Sequence, residues 1–184
     1  MYGELLNPEQ LLLNDFPLPG SRFPASRAAR FNSVTTPTAA DWRSHLVGDD
    51  EGVRRILAQT RRVAVLGIKT PESGQPAFYV PEYAQRAGYD VVPVPVYYPH
   101  VTEILGQRVY RRVADVPGDV DLVNVFRRPR DIPAHVDDIV AKRPKAVWFQ
   151  SGIRNDEAAE AFARAGIDVV QDRCLLVELR RVGR

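Results

Sequence analysis

The stretch Val63-Ala64-Val65-Leu66-Gly67-Ile68-Lys69-Thr70 runs from four apolar residues into a glycine and a polar turn. An apolar run this short is a strand pattern, and one without polar alternation belongs to a strand buried on both faces, as in a parallel sheet covered by helices. Comparable runs begin near Asp90 (DVVPV), Asp121 (DLVNVF), Lys145 (KAVWFQ) and Ile167 (IDVVQ), at spacings of 27, 31, 24 and 22 residues. Helical periodicity fills most of the intervals. The expected fold is α/β: a doubly wound, mainly parallel five-stranded sheet with helices on both faces, preceded by an irregular N-terminal arm.

Segment by segment, 49–60 reads as an amphipathic helix with Val53, Ile56 and Leu57 on one face. A helix ends at Ala87-Gly88; because Pro81 would fall in its second turn if it began at Pro76, a start near Val80 is expected. Another starts around Asp131 with Pro133 in its first turn and turns Val136, Ile139 and Val140 inward. Asn155 caps a further helix that Gly166 closes, with Ala158, Phe162 and Ala165 as its buried stripe. Between Tyr97 and Pro117 a short hairpin or strand extension is expected.

The 184 residues carry a formal net charge of +2, and both parts of the chain are close to neutral. With no basic stripe, nucleic acid is not an expected partner. No apolar run is long enough to cross a bilayer, so no membrane is expected either. The single cysteine, Cys174, excludes an internal disulfide and any multi-thiolate metal site, and it fits a reducing compartment. No export signal is evident, and a cytoplasmic location is expected. Residues 1–48 contain Pro8, Pro17, Pro19, Pro24 and Pro37 among apolar anchors such as Phe16, Phe23 and Phe31. They read as an arm that wraps its own domain or a second copy of the chain, and 49–184 as the folded domain.

Ligands of open α/β sheets sit at the carboxyl ends of the strands where the topology reverses. The segment from Gly67 to Ala77 follows a strand and precedes a helix, so its amides, Lys69 and the hydroxyls of Thr70 and Ser73 suit a phosphate or pyrophosphate. It contains neither G-x-G-x-x-G nor G-K-[ST], and Val94-Pro95-Val96 offers no acid for a ribose, which disfavours a nicotinamide cofactor. Arg127 and Arg128 stand at the end of the third strand, where forked hydrogen bonds to phosphate are available. Gln150-Ser151-Gly152 follows the fourth. The three histidines are scattered, and His135, next to Asp137 and Asp138, reads as part of a solvated face. No nucleophile, general acid or general base is arranged for catalysis, and binding without catalysis is the expectation.

The ordered segments VAVLGIK, PAFYV, AGYDVVPV, EILGQRVYRRVADVP, DLVNVFRRP, AVWFQSGIRNDEAAEAFARAGIDVV and DRC, between about Asp49 and Arg181, resemble the stand-alone CoA-binding proteins. The Rossmann-like domain of that family is similar to the CoA-binding domain of the succinyl-CoA synthetase α subunit. The resemblance implies coenzyme A or an acyl-CoA held by its ADP half, with the pyrophosphate near Gly67, Ile68, Lys69 and Thr70. It also implies that Val94, Pro95, Phe126, Arg127 and Gln150 to Gly152 frame adenine and ribose. The chain has Lys69 where the family has a small serine, and Tyr97-Tyr98 where it has a lysine. Two enzymatic alternatives remain open at this point. One is a nucleotide- or NAD-dependent oxidoreductase; the other is the CoA-binding half of an acyl-CoA ligase with a separate partner subunit.

Overall fold

The computed structural model describes residues 41–184; most of the expected arm, 1–40, lies outside the described residues. In chain order the elements are α1 (Asp50–Gln59), β1 (Arg62–Leu66), α2 (Pro76–Arg86), β2 (Asp90–Val94), a hairpin of β3 (Glu103–Ile104) and β4 (Gln107–Arg108), β5 (Leu122–Val125), α3 (Val136–Lys142), β6 (Ala146–Phe149), α4 (Asp156–Arg164), β7 (Asp168–Val170) and α5 (Leu175–Arg181). The main sheet is parallel, in the order β2-β1-β5-β6-β7. From β1 the chain moves outward to β2, then crosses back to lay β5 on the other side of β1. The reversal therefore lies between the carboxyl ends of β1 and β5.

Alternation along each strand divides the core in two. Val63, Val65, Leu122 and Trp148 face α1, α2 and α5, meeting Val53, Ile56, Leu57, Val80, Ala84, Leu175 and Leu179. Ala64, Leu66, Val123, Val125, Val147 and Phe149 face α3, α4 and the segment before β5, meeting Ile139, Ala158, Phe162, Val113 and Val116. This is the two-faced covering that the apolar runs imply.

Local differences from the expectations have physical causes. Helix α2 starts at Pro76 rather than near Val80. Pro76 sits in the first turn, where its missing N–H is no loss. Pro81 does leave the Ala77 carbonyl without its helical donor, but the backbone N–H of Lys69 takes that place at 3.1 Å. A defect in the helix thus becomes the anchor of the β1–α2 loop. The helix expected from Asp131 begins instead as two 3-10 turns, Pro129–Asp131 and Pro133–His135. Pro133 has no N–H for the Pro129 carbonyl, which accepts from Ile132 at 3.3 Å. In α4 the Asn155 side chain caps Ala158 N–H as expected, but the buried stripe is Ala158, Ala159, Phe162 and Ala163; Ala165 is the exposed C-cap residue, past the last turn. Seven-residue α5 has no counterpart in the sequence reading.

Both edges of the sheet are engaged. Beside β2, Tyr110 donates its N–H to the Pro93 carbonyl at 3.0 Å, and Pro93 itself has no N–H to present. At the opposite edge Leu46 bridges Val169 in parallel and Val47 N–H meets the Val169 carbonyl at 2.9 Å. His45 Nδ1 lies 2.7 Å from Asp168 Oδ1, and Arg55 holds the other carboxylate oxygen at 3.1 Å. The sheet domain therefore includes residues that the sequence reading assigns to the arm, from at least His45 to Gly48.

Candidate functional site

At the reversal the two strand ends touch. Gly67 N–H donates to the Val94 carbonyl and Phe126 N–H to the Leu66 carbonyl, each at 2.9 Å. Gly67 has φ +86°, and a Cβ there would lie 2.4 Å from the Phe126 carbonyl oxygen. Only glycine allows this approach, and it sets the end of β1 directly against the start of the arginine segment.

Above this contact opens a cleft of about 600 Å³, lined by Lys69, Gln75, Pro76, Ala77, Tyr79, Val80, Phe126 to Pro129, Gln150 to Ile153 and Cys174. Its size falls within the range of about 300–1,000 Å³ common for small-molecule sites. Seven of the expected residues line it: Lys69, Phe126, Arg127, Arg128, Gln150, Ser151 and Gly152. Gly67, Ile68, Val94 and Pro95 are buried and do not line it. Val94 lies against the β1 end and turns into the core on the α4 side, away from the lining. Thr70 is half-buried outside the lining, its hydroxyl engaged with the Glu72 carboxylate and its carbonyl accepting from Ser73 Oγ at 2.8 Å. Tyr79, Val80 and Cys174 went unforeseen as lining residues. Accepting Pro76 as the first helical residue would have brought Tyr79 to the cleft.

The positive charge gathers at the mouth. Asp131 is shared by Arg127 at 3.4 Å, Arg128 at 3.3 Å and Arg130 at 3.9 Å. Lys69 adds a further cation to the cleft lining. The Nε of Arg127 is buried and has no hydrogen-bond partner among the described residues. Tyr97 lies among these groups, with Lys69 Nζ 4.3 Å and the Arg127 guanidinium carbon 5.6 Å from its ring centroid. The guanidiniums of Arg127 and Arg128 beside it hold the Tyr97 hydroxyl below the usual phenol range. Nearby His135 is half-buried rather than solvated, and burial, with Arg127 adding to it, pushes its imidazole down.

The backbone of the mouth is held from several sides. Asp172 Oδ1 accepts from Gly152 N–H at 2.6 Å, and Asn155 Nδ2 donates to the Pro129 carbonyl at 2.9 Å. Underneath, Gln150 Nε2 donates to Asn124 Oδ1 at 2.7 Å while its Oε1 accepts from Leu175 N–H at 3.2 Å. That second bond fixes the Gln150 amide, so the Asn124 oxygen must accept and its buried Nδ2 is left without a partner among the described residues. Gln150→Leu would strand both of the glutamine's partners in the interior. A loss of about 2 kcal/mol is expected in urea unfolding; an unchanged midpoint would show that neither group depends on Gln150.

Among the described residues, no helix is long and apolar enough to cross a membrane. A family model described as a CoA binding domain matches residues 61–180. The uncharacterized protein YneT of Bacillus subtilis is 30% identical over 125 residues, 68% of this chain and 90% of that protein. A solved structure from Thermus thermophilus is 40% identical with a TM-score of 0.67, covering 73% of this chain and 99% of its own. Another, a hypothetical protein from Pyrococcus horikoshii, is 33% identical with a TM-score of 0.68, covering 74% and 94%.

Proposed function

Since the chain belongs to the CoA binding domain family, we propose that its cleft holds coenzyme A or an acyl-CoA through the ADP-pyrophosphate half, without catalysis of its own. The observation that carries this reading is the convergence of Lys69, Arg127 and Arg128 on one cleft at the sheet's reversal point. A pyrophosphate there would meet the ammonium of Lys69 and the guanidiniums of Arg127 and Arg128. Charge-assisted bonds of this kind are about twice as strong as neutral ones. The apolar wall of Pro76, Tyr79, Val80, Phe126 and Ile153 supplies contact for the adenine and the pantetheine arm. Ser151 and Gly152 lie at the exposed rim, where the ribose hydroxyls find a polar neighbour.

Calorimetric titration with CoA tests the proposal, and absence of binding at millimolar CoA would sink it. Lys69→Ala and Arg127→Ala are each expected to weaken binding by about 1–3 kcal/mol while leaving the unfolding midpoint near that of the parent. If the arm reaches a second copy of the chain, as its apolar anchors suggest, removal of residues 1–40 converts a dimer to a monomer in sedimentation without loss of CoA binding.

A further inference from the structure

We propose that Tyr97 and Tyr98 are positioning residues for Lys69: their rings hold its ammonium at the cleft and leave its N–H donors open for a phosphate of the ligand. This rests on the proposed CoA site and says how the chain prepares it before the ligand arrives.

Lys69 is held at both ends. Its backbone N–H bonds to the Ala77 carbonyl at 3.1 Å, in the place that Pro81 leaves open in α2. Its Nζ lies 4.3 Å from the ring centroid of Tyr97 and 5.5 Å from that of Tyr98. Both distances fall within the roughly 6 Å over which a ring face attracts a cation. The chain has three lysines, and the other two engage their ammonium groups with oxygen: Lys142 donates to the Val116 and Gly118 carbonyls, and Lys145 pairs with Asp121 at 2.7 Å. Among the described residues Lys69 has only the two rings for its ammonium. A carboxylate in their place would hold the charge as firmly, but it would occupy the N–H donors and repel an incoming phosphate. A ring does neither.

The support is itself fastened. Tyr97 and Tyr98 follow β2, and the carbonyls of Tyr98, Pro99 and Val101 accept from the Arg111 guanidinium at 3.1, 2.9 and 2.6 Å. Tyr98 stands at φ +63°, a conformation that a bulky residue rarely adopts. The Tyr97 ring also lies 5.6 Å from the Arg127 guanidinium carbon, which ties two cations of the cleft lining to one neutral side chain. A lysine stem has much rotamer freedom to lose when a ligand immobilises it. With the rings in place that freedom is lost on folding, and binding is correspondingly tighter.

The ligand-free test isotopically labels the lysines of the full chain and follows their ε-methylene signals by NMR, with Lys69 assigned from Lys69→Ala. Ring faces shield what lies over them, so the Lys69 signal is expected upfield of the other two. It should stay there in Tyr97→Phe and move back towards them in Tyr97→Leu; Tyr97 is 43% exposed, so neither change disturbs the core. A Lys69 signal level with the others in the parent overturns the proposal. Binding supplies the second readout. CoA affinity is expected to fall about fivefold in Tyr97→Leu, the worth of one such contact, and to stay within about twofold of the parent in Tyr97→Phe. In a Lys69→Ala background the Tyr97→Leu change should matter much less, because the cation that the ring places is gone. Additive losses, no loss in Tyr97→Leu, or equal losses in the Phe and Leu variants overturn the positioning role and leave the CoA site standing. If the parent binds no CoA, inorganic pyrophosphate decides: a shift of the shielded Lys69 signal on adding it keeps the positioning role and removes the CoA reading, and no shift removes both.

Discussion

Gly67→Ala is expected to cost about 2–5 kcal/mol of stability and to abolish CoA binding in whatever protein remains folded. Two effects combine. A left-handed backbone at φ +86° carries a penalty of about 1–2 kcal/mol for an L side chain. The added methyl also meets the Phe126 carbonyl oxygen at 2.4 Å and the Arg127 Cδ at 3.2 Å. Carbonyl oxygens in a sheet do not step aside freely, so the ends of β1 and β5 must part, at a further cost of about 1–3 kcal/mol. Such movement shifts Arg127 away from Lys69. Gly166→Ala is the control: it has φ +77°, but nothing lies within 4 Å of its Cβ, and it is remote from the cleft. It is expected to lose only the conformational part. Similar unfolding midpoints for the two variants in urea would show that the contact between the strand ends is slack.

The second large effect concerns the other layer. Phe162 of α4 is fully buried and meets Phe149 edge to face, with centroids 6.3 Å apart and planes at 70°. Phe162→Ala is expected to cost about 3–5 kcal/mol, from lost burial and the cavity left behind. Here binding should survive in the folded fraction, because α4 reaches the cleft only through its capping residue, Asn155, and the bond to the Pro129 carbonyl. Urea unfolding with and without CoA separates the two variants. Added CoA should restore part of the Phe162→Ala loss by mass action and none of the Gly67→Ala loss. Equal restoration in both would remove Gly67 from the site.

How much was legible depended on whether the information was local. The five strands are continuous apolar runs and declare themselves. Their shared burial also identifies the carboxyl edge, and with it Lys69, Arg127, Arg128 and Gln150. What the sequence hid was settled by partners far along the chain. Pro81 looks like a helix breaker until Lys69 N–H is seen to take the Ala77 carbonyl. Helix α5 is short and begins after Cys174, whose side chain makes no capping bond, so nothing announces it. Val94 and Pro95 lie at a strand end, yet the first packs inward, and sequence position alone cannot tell the lining of a cleft from its floor. Tyr97 could be noted as an unusual residue, but its contacts with Lys69 and Arg127, from two other segments, exist only in the folded chain.

The closed edges of the sheet bear on the company this protein can keep. A parallel sheet with a bare outer strand invites another chain to extend it, which is the route to domain exchange and fibrils. Here Pro93 and Tyr110 shut one side, and the stretch leading through Leu46 and Val47 shuts the other. Another chain adding a strand here would first have to displace those contacts. Side chains on the helices and around the mouth of the cleft meet no such obstacle, and they can be revised by substitution without touching the ladder beneath.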